Sequence, residues 1–352
     1  MAAFDIKKLL QSVVTHGASD LHLVSRTEPQ IRLDGVLKPV NLPKLTGDDI
    51  EEMAYSLITE KQKQHFEEND ELDFALLLPG IGRFRANYYR TLGDTAAAFR
   101  IIPIDVPSLD DLGAPDIYKK LIKREKGLIL VTGPTGSGKS TTLAAMLNEI
   151  NLHEQKHIVT VEDPVEFIHQ NKKCVFSHRG VGEDTSSFAI ALKYAMRQDP
   201  DIILIGEMRD KETIEAALTA AETGHLVFGT LHTSSAPGTI NRIIDVFTGD
   251  EQPQIRAMIS SSLVAVIAQA LLPKLGGGRV AASEILITNH AISNLIREDK
   301  VHQIYSQMQL GQEDSGMQTQ TQALLKFLRD GKISRDTALQ YANKPAELNG
   351  KM

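Results

Sequence analysis

The segment with the clearest chemical signature lies near the middle of the chain and is rich in glycine. It fits the pattern G-x-x-x-x-G-K-[S/T] at every fixed position, reading Gly133-Pro134-Thr135-Gly136-Ser137-Gly138-Lys139-Ser140, with Thr141 next. The glycines let backbone N–H groups point inward at phosphate oxygens, and a helix that begins near Lys139 adds the positive end of its dipole. Lys139 can neutralise the charge of the β- and γ-phosphates, and the Ser140 hydroxyl can be a ligand of Mg²⁺. We therefore expect residues 133–141 to bind ATP with Mg²⁺.

The context of this loop favours function over coincidence. A chance match arises in roughly one chain in a hundred of this length. Here an apolar run ends at Thr132, and good helix formers follow Ser140. The sequence therefore predicts a strand, a phosphate-binding loop and a helix in that order.

Two acidic residues flank one apolar run that is typical of a strand. Asp201 precedes the run 202–205, and Glu207 follows it. At ~3.3 Å per residue the two carboxylates lie about 20 Å apart, at opposite edges of the sheet. Because ligands bind at the carboxyl ends of parallel strands, we expect Glu207 to help hold Mg²⁺ and Asp201 to cap or turn the far end.

Another apolar run ends in three acids within five residues, Glu162, Asp163 and Glu166. Carboxylates crowded at a ligand edge repel one another unless a cation or strong donors compensate. This pattern favours a catalytic role, with Glu166 as the acid that polarises the attacking water. A solvated acidic turn is the alternative.

Two histidines bracket the apolar run 226–231. His232 follows the run, where a ring N–H could contact the γ-phosphate, whereas His225 precedes it at the opposite edge. Neither is expected to bind zinc, because no partners stand at ligand spacing. We predict a functional role for His232, and the residues alone leave His225 open.

The apolar runs also predict the fold class, which is α/β. Compact runs alternate with helical stretches, as in a mostly parallel sheet covered on both faces; the runs are 127–131, 157–161, 202–205 and 226–231. Residues 1–100 are expected to form a small α+β domain and 101–115 a linker. The parallel sheet then occupies 116–290, and 291–352 forms a helical, loosely packed C-terminal region.

The N-terminal domain has its own local signals. Phe4 to Thr15 has helical spacing, and Gly17 supplies a left-handed stop. The Asp34-Gly35 pair predicts a hairpin. Thr46 is a candidate cap for one helix that runs through about Glu68. Strands are expected near 72–78, 82–90 and 94–102.

Composition and charge exclude several classes of protein. The 352 residues carry a net charge of -7 without a Lys/Arg block, which argues against non-specific binding to nucleic acid or to anionic lipid. The single cysteine, Cys174, excludes a disulfide framework and an all-cysteine zinc site. No signal peptide is recognisable, and the longest apolar stretch, Leu263 to Leu272, is interrupted by Gln269. We expect a cytoplasmic protein without direct membrane insertion, at most docked onto a membrane complex.

With these motifs in place, the sequence strongly resembles the type IV pilus retraction ATPases (the PilT type) of the secretion-ATPase superfamily. The similarity extends from about residue 4 to 335. It is carried by GASDLHL at 17–23, GPTGSGKSTT at 133–142, VEDPVEF at 161–167, DIILIGEMRD at 201–210 and TAAETGHLVFGTLHTSSA at 219–236. The resemblance implies a PAS-like N-terminal domain and a RecA-like ATPase domain. It also implies a homo-hexameric ring that drives pilus retraction, and hence twitching motility, on a platform protein at the inner membrane.

The resemblance further implies roles for individual residues. Glu166 matches the catalytic glutamate and Glu207 the Walker B acid, while His225 and His232 match the pair of the histidine box.

Two arginines, Arg85 and Arg100, match arginines that approach the γ-phosphate. The sequence alone shows only that Arg83 and Arg85 share a strand face, as solvated surface arginines also would.

One motif departs from the family pattern. Residues 291–298 resemble the C-terminal retraction motif, but its third position, typically arginine, is Ser293. Serine carries no positive charge, and it lacks the guanidinium group with which arginine donates two parallel hydrogen bonds. We expect ATP hydrolysis to survive this change, whereas coupling to retraction is less secure.

Three other functions compete with this interpretation. A pilus-assembly or type II secretion ATPase shares the core but usually carries a four-cysteine zinc motif, which a chain with only Cys174 lacks. A nucleic-acid translocase would need a basic track, against the acidic balance. A scaffold that binds ATP without turnover would normally lack Lys139, Glu166 or Glu207.

Overall fold

The computed structural model describes residues 5–33, 35–102, 105–310 and 315–352. The chain divides into two compact units, Met1–Asp105 and Val106–Met352. Phe4 of the predicted first helix, Asp34 of the predicted hairpin turn and residues 103–104 of the predicted linker lie outside the described residues.

The first unit contains an antiparallel six-stranded sheet in the order β3-β2-β1-β6-β5-β4. Its strands are β1 Asp20–Leu23, β2 Gln30–Leu33, β3 Val36–Pro39, β4 Glu71–Leu78, β5 Gly82–Thr91 and β6 Asp94–Ile102. Its helices are α1 Ile6–Thr15, α2 Gly47–Tyr55 and α3 Glu60–Asn69. Alternate residues of β4 are buried, so one face of the sheet joins the core with Leu10, Phe66 and Tyr88. The predicted first helix, the hairpin and the three later strands are confirmed.

The prediction of one long helix from Thr46 to about Glu68 is wrong. Thr46 does cap α2, with its hydroxyl oxygen accepting the Asp49 N–H at 3.1 Å, but that helix ends at Tyr55. Thr59 then begins α3 with a second capping box, which it forms with Gln62. A threonine three residues before a glutamine is a signal for a helix start, so the sequence did mark this break.

The second unit is built on a mixed, mostly parallel seven-stranded sheet in the order β13-β12-β7-β11-β10-β8-β9. Within it β13 pairs antiparallel with β12, and the other neighbours pair in parallel. The strands are β7 Gly127–Thr132, β8 His157–Glu162, β9 Val175–Gly180, β10 Ile202–Ile205, β11 Leu226–Leu231, β12 Leu263–Pro273 and β13 Arg279–Ile287. The four predicted strands are confirmed; β9, β12 and β13 were not predicted.

Apolar side chains cover both faces of this sheet. In β7, Leu128 and Leu130 join one apolar cluster, whereas Ile129 and Val131 join another. Because neighbouring side chains of a strand point to opposite faces, the α/β arrangement is the one that the sequence predicted. The helices around the sheet are α4 Ile117–Leu121, α5 Lys139–His153, α6 Phe188–Ala195, α7 Lys211–Glu222, α8 Ala236–Asp245 and α9 Gln252–Ser262.

The C-terminal part of the chain is helical, as predicted, but the expectation of loose packing is wrong. Its described helices are α10 His290–Arg297, a 3₁₀ turn Val301–Gln303, α11 Ile304–Leu310, and then Gln320–Arg329, Arg335–Tyr341 and Pro345–Lys351. Ile292, Ile296 and Ile304 are fully buried in the cluster that also holds Leu130 of β7. The amphipathic spacing of α10 therefore completes the core of the sheet unit.

No helix in the described parts of the chain combines the length and the apolar character that crossing a membrane requires.

Candidate active site

The glycine-rich segment forms the turn between β7 and α5, as predicted. Gly133, Gly136 and Gly138 have φ of 143°, 78° and 87°, a region that residues with a Cβ seldom adopt. A Cβ at Gly133 would also lie 2.2 Å from the carbonyl oxygen of Gln269. The sequence thus places the N-terminus of α5 at the carboxyl edge of the sheet, where the helix dipole favours an anion. Thr141 continues the first turn of α5, while Pro134 and Thr135 are exposed.

The Lys139 side chain folds back over this loop. Its ammonium group donates to the carbonyl oxygens of Gly133 at 2.9 Å and of Pro134 at 3.2 Å. Burial lowers the pKa of Lys139, and the carboxylates of Glu207 and Glu166 act in the opposite direction. The cation is therefore within electrostatic range of both predicted acids.

Glu207 lies just past the end of β10, at the same edge of the sheet. Its Oε1 accepts a hydrogen bond from His232 Nε2 at 2.9 Å and another from Arg209 Nε. Burial by itself would raise the pKa of Glu207, but the hydrogen bonds from Arg209 and His232 outweigh it, so that the pKa is lowered. Glu207 is thus held in the ionised form that a metal-side acid needs.

Asp201 has the structural role predicted for the far end of the same strand. Its Oδ2 accepts the His157 N–H at 2.8 Å, and its Oδ1 lies 3.6 Å from the Lys156 ammonium.

In the acidic turn after β8, Glu162 and Glu166 differ in burial and in their contacts. Glu162 is 8% exposed, and its Oε2 accepts the Glu166 N–H at 3.1 Å. Glu166 is half-buried and interacts electrostatically with Lys139. Glu162 therefore shapes the turn, and Glu166 is the acid that the turn presents.

Ser140 lies beside the ends of three strands, because it lines one small cavity with Glu162, Gly206 and Thr230. The Ser140 hydroxyl and the Glu207 carboxylate are hard oxygen ligands of the kind that Mg²⁺ prefers. The described residues contain no cluster of three His, Cys, Asp or Glu side chains that forms a complete metal site. These donors fit a magnesium ion that protein, water and nucleotide phosphates would hold jointly.

The two predicted histidines lie at opposite ends of β11. His232 joins the site through its hydrogen bond to Glu207. His225 precedes the strand, where its Nδ1 lies 3.0 Å from the Ala220 carbonyl oxygen and its own carbonyl accepts the Gly127 N–H. Within this chain His225 is about 20 Å from the loop edge, the length of a six-residue strand. Its catalytic role stays a prediction from the resemblance.

The two predicted arginines belong to the first unit and face each other across neighbouring strands. Arg85 of β5 pairs in register with Arg100 of β6. The Arg100 Nε lies 2.8 Å from Asp20 Oδ1, and an Arg85 nitrogen lies 3.4 Å from Asp73 Oδ2. Like charges directly opposite on a sheet repel, and the two carboxylates offset that cost. The role of both arginines toward phosphate stays a prediction.

Two residues that contact the candidate site, Arg209 and Gln269, were not predicted from the sequence. Arg209 bonds to Glu207, and the only signal was its place two residues after that acid. Gln269 bonds to the phosphate loop, and its signal was a polar residue inside an apolar stretch.

Ser293, the departure in the C-terminal motif, turns toward α9. Its hydroxyl donates to the Ser260 carbonyl oxygen at 2.9 Å. Arg297, one turn further along α10, donates to the Ser260 hydroxyl at 3.3 Å.

Comparisons with known proteins agree with this geometry. The family described as "Type II/IV secretion system protein" matches residues 2–277. The "Type IV pilus retractation ATPase PilT" of Pseudomonas aeruginosa is 51% identical over 341 residues, which cover 97% of this chain and 99% of that protein. A "Twitching motility protein" of Neisseria gonorrhoeae is 48% identical over 348 residues, covering 99% of this chain and 93% of that protein.

A solved structure is similar over nearly the whole chain. The crystal structure of "the Pilus Retraction Motor PilT and Bound ADP" superposes with a TM-score of 0.92 at 48% identity, covering 99% of this chain and all of that chain. The family match spans more than half of the chain and includes the phosphate loop, the acids and the histidines. The chain therefore belongs to the type II/IV secretion system protein family.

Proposed function

We propose that this protein is an ATPase that hydrolyses ATP to ADP and phosphate and uses the energy to power retraction of type IV pili. The observation that carries the proposal is the convergence of Lys139, Glu166, Glu207 and His232 on the phosphate loop. The same chain is 51% identical to a pilus retraction ATPase along 97% of its length.

Each residue of the site has a task in hydrolysis. Backbone N–H groups of residues 133–140 bind the phosphates, and Lys139 exchanges its loop carbonyl partners for β- and γ-phosphate oxygens. Magnesium, held by the Ser140 hydroxyl and through water by Glu207, would neutralise charge that develops on the phosphates. Glu166 orients and polarises the attacking water, and His232 contacts the γ-phosphate region while bonded to Glu207.

The finer fold assignments belong to the same proposal. We assign residues 1–100 to a PAS-like domain, 101–115 to a linker, 116–290 to a RecA-like ATPase domain and 291–352 to a C-terminal helical region, although β6 crosses the first of these boundaries and ends at Ile102. The antiparallel sheet of the first unit and the mostly parallel sheet of the second support this division.

The assembly proposed for this chain is a homo-hexameric ring in the cytoplasm. The ring would bind ATP and Mg²⁺ and transmit its motion to a platform protein of the pilus machine at the inner membrane. The resemblance to retraction motors supports this arrangement, and the net charge of -7 supports a protein partner rather than nucleic acid.

Phosphate release by the purified protein tests the enzymatic part. Wild type should release phosphate from ATP in the presence of Mg²⁺, and Lys139→Ala should lose productive ATP binding while its melting temperature stays near that of wild type. Unchanged turnover in Lys139→Ala would contradict the assigned site.

Deletion of the gene tests the biological part. Cells without the protein should still extend pili but fail to shorten them, as fluorescence microscopy of labelled pili would record. Cells without any pili would instead favour the pilus-assembly alternative. Ser293→Arg in the complementing gene would show whether Ser293 limits retraction.

A further inference from the structure

Gln269 is a buried polar residue in an otherwise apolar strand. It lies on β12, its side chain is 3% exposed, and the preceding residue, Ala268, pairs with Thr132 at the end of β7. The strand therefore runs directly beside the start of the phosphate loop. A carboxamide buried so deeply costs free energy unless both of its halves are hydrogen-bonded.

Both halves of this carboxamide are bonded to the nucleotide-binding segment. The Gln269 Nε2 donates to the Ser137 carbonyl oxygen at 2.7 Å, and the Thr142 hydroxyl donates to the Gln269 Oε1 at 3.0 Å. The backbone carbonyl of Gln269 also lies where a Cβ on Gly133 would be. One residue thus contacts the start of the loop, its far part and the first turn of α5.

The bond to Ser137 determines the direction of a phosphate-binding group. In a trans peptide the C=O and the following N–H point in opposite directions. Because the Ser137 carbonyl points at β12, the N–H of Gly138 points away from β12. If the Ser137 carbonyl lost its partner, that peptide would be free to rotate and the N–H would leave the phosphate.

We propose that Gln269 is a positioning residue for nucleotide binding, which fixes the Ser137–Gly138 peptide so that the Gly138 N–H faces the phosphates. This inference rests on the ATPase function proposed above. It also accounts for the polar residue inside the apolar stretch 263–272. A glutamine there replaces an apolar core side chain, and its role at the phosphate loop explains why a polar residue stands at this position.

The test is Gln269→Met, which conserves volume and removes both hydrogen bonds. The dissociation constant for Mg-ADP, measured by calorimetry, should rise roughly tenfold or more, the change expected when a buried hydrogen bond is lost. In phosphate-release assays, KM for ATP should rise by a larger factor than kcat falls.

Gln320 provides a matched control in the C-terminal helices. It is 6% exposed, donates through Nε2 to the Tyr341 carbonyl at 3.1 Å and accepts the Asn343 N–H at 2.7 Å. Gln320→Met therefore removes the same kinds of bond away from the loop. It should lower the melting temperature and leave the affinity for Mg-ADP unchanged.

A second variant keeps the proposal testable if Gln269→Met does not fold. Thr142→Val removes only the hydroxyl that bonds to Gln269 Oε1, and it should weaken Mg-ADP binding severalfold.

Wild-type affinity in Gln269→Met, with a melting temperature lowered as in Gln320→Met, would overturn the positioning role and leave the ATPase function standing. Wild-type affinity for Mg-ADP in Thr142→Val would likewise count against the positioning role of Gln269. Absence of Mg-ADP binding by the wild-type protein would overturn both this inference and the proposed function.

Discussion

At the residue scale, neighbours give chemically similar carboxylates different tasks. Glu162 is buried and accepts the N–H of Glu166, so its oxygens serve the turn. Glu207 accepts from His232 and Arg209, which keeps it ionised. Glu166 is half-buried and interacts electrostatically with Lys139, and its proposed task is to polarise the attacking water.

Glu166→Gln should therefore reduce the turnover number by about 10²–10⁴-fold, the range for loss of a general base. Affinity for Mg-ADP should change little, since the phosphate loop is untouched. Steady-state phosphate release and calorimetry measure the two quantities. Asp163→Asn, an exposed acid of the same turn, is the matched control and should stay near wild-type turnover. Equal turnover of Glu166→Gln and wild type would contradict the proposal that Glu166 polarises the attacking water.

Glu207→Gln should destabilise the nucleotide-free protein at neutral pH but not in acid. The folded-state pKa of Glu207 is lowered from its ordinary value of 4.5. Its ionised form therefore contributes stability that is fully present above the ordinary pKa and is lost as the pH falls through the folded-state pKa.

Urea unfolding of wild type and Glu207→Gln measures this difference. Wild type should have the higher free energy of unfolding at about pH 7, and the difference between the two proteins should fall toward zero at about pH 3. An equal difference in free energy of unfolding at both pH values would show that the carboxylate charge does not stabilise the fold.

At the element scale, the phosphate loop depends on the strand beside it. The turn needs glycine for its positive φ angles, and at Gly133 the backbone of β12 also leaves no space for a Cβ. The loop and β12 are more than a hundred residues apart in sequence, so only the parallel pairing of β12 with β7 brings them together.

Gly133→Ala should therefore lower the free energy of unfolding by about 1–3 kcal/mol and abolish Mg-ADP binding. The new Cβ would lie 2.2 Å from the Gln269 carbonyl oxygen, so the loop must move. Gly113→Ala is the control, because Gly113 also has positive φ, 60°, but no atom lies within 4 Å of its added Cβ. Thermal melting and calorimetry compare the two, and normal nucleotide binding by Gly133→Ala would refute the clash.

At the scale of the whole molecule, the candidate site occupies one unit and the predicted arginines occupy the other. Arg85 and Arg100 stand opposite each other although like charges repel. Within the first unit they are compensated by Asp73 and Asp20.

Arg85→Ala and Arg100→Ala should accordingly reduce turnover by about 10²–10³-fold, more than they reduce nucleotide affinity, because they are proposed to act on developing charge. Arg32→Ala is the control: Arg32 lies 3.7 Å from the same Asp20 carboxylate but is not predicted to reach phosphate. Undiminished turnover in Arg85→Ala and Arg100→Ala would contradict the role proposed for these arginines, and so would an equal loss of turnover in Arg32→Ala.

Elements whose signals are local could be predicted from the amino-acid sequence. Gly133 to Ser140 is recognisable because phosphate binding requires consecutive backbone groups, and the α/β class follows from short apolar runs separated by helical stretches. The sequence also placed Glu207 and His232 at one edge and His225 at the other, because chain direction fixes which end of a parallel strand carries the ligand.

Features that depend on contacts between residues far apart in the chain could be seen only in the folded protein. The partners of Glu207, the burial of Glu162 and the bonds from Gln269 to Ser137 and Thr142 arise only when separate strands pair. The break between α2 and α3 is not of this kind, because the capping box at Thr59 marks it in the local sequence. The C-terminal helices seemed loose in sequence because their apolar positions are few, and only the sheet that they cover shows that those positions are buried.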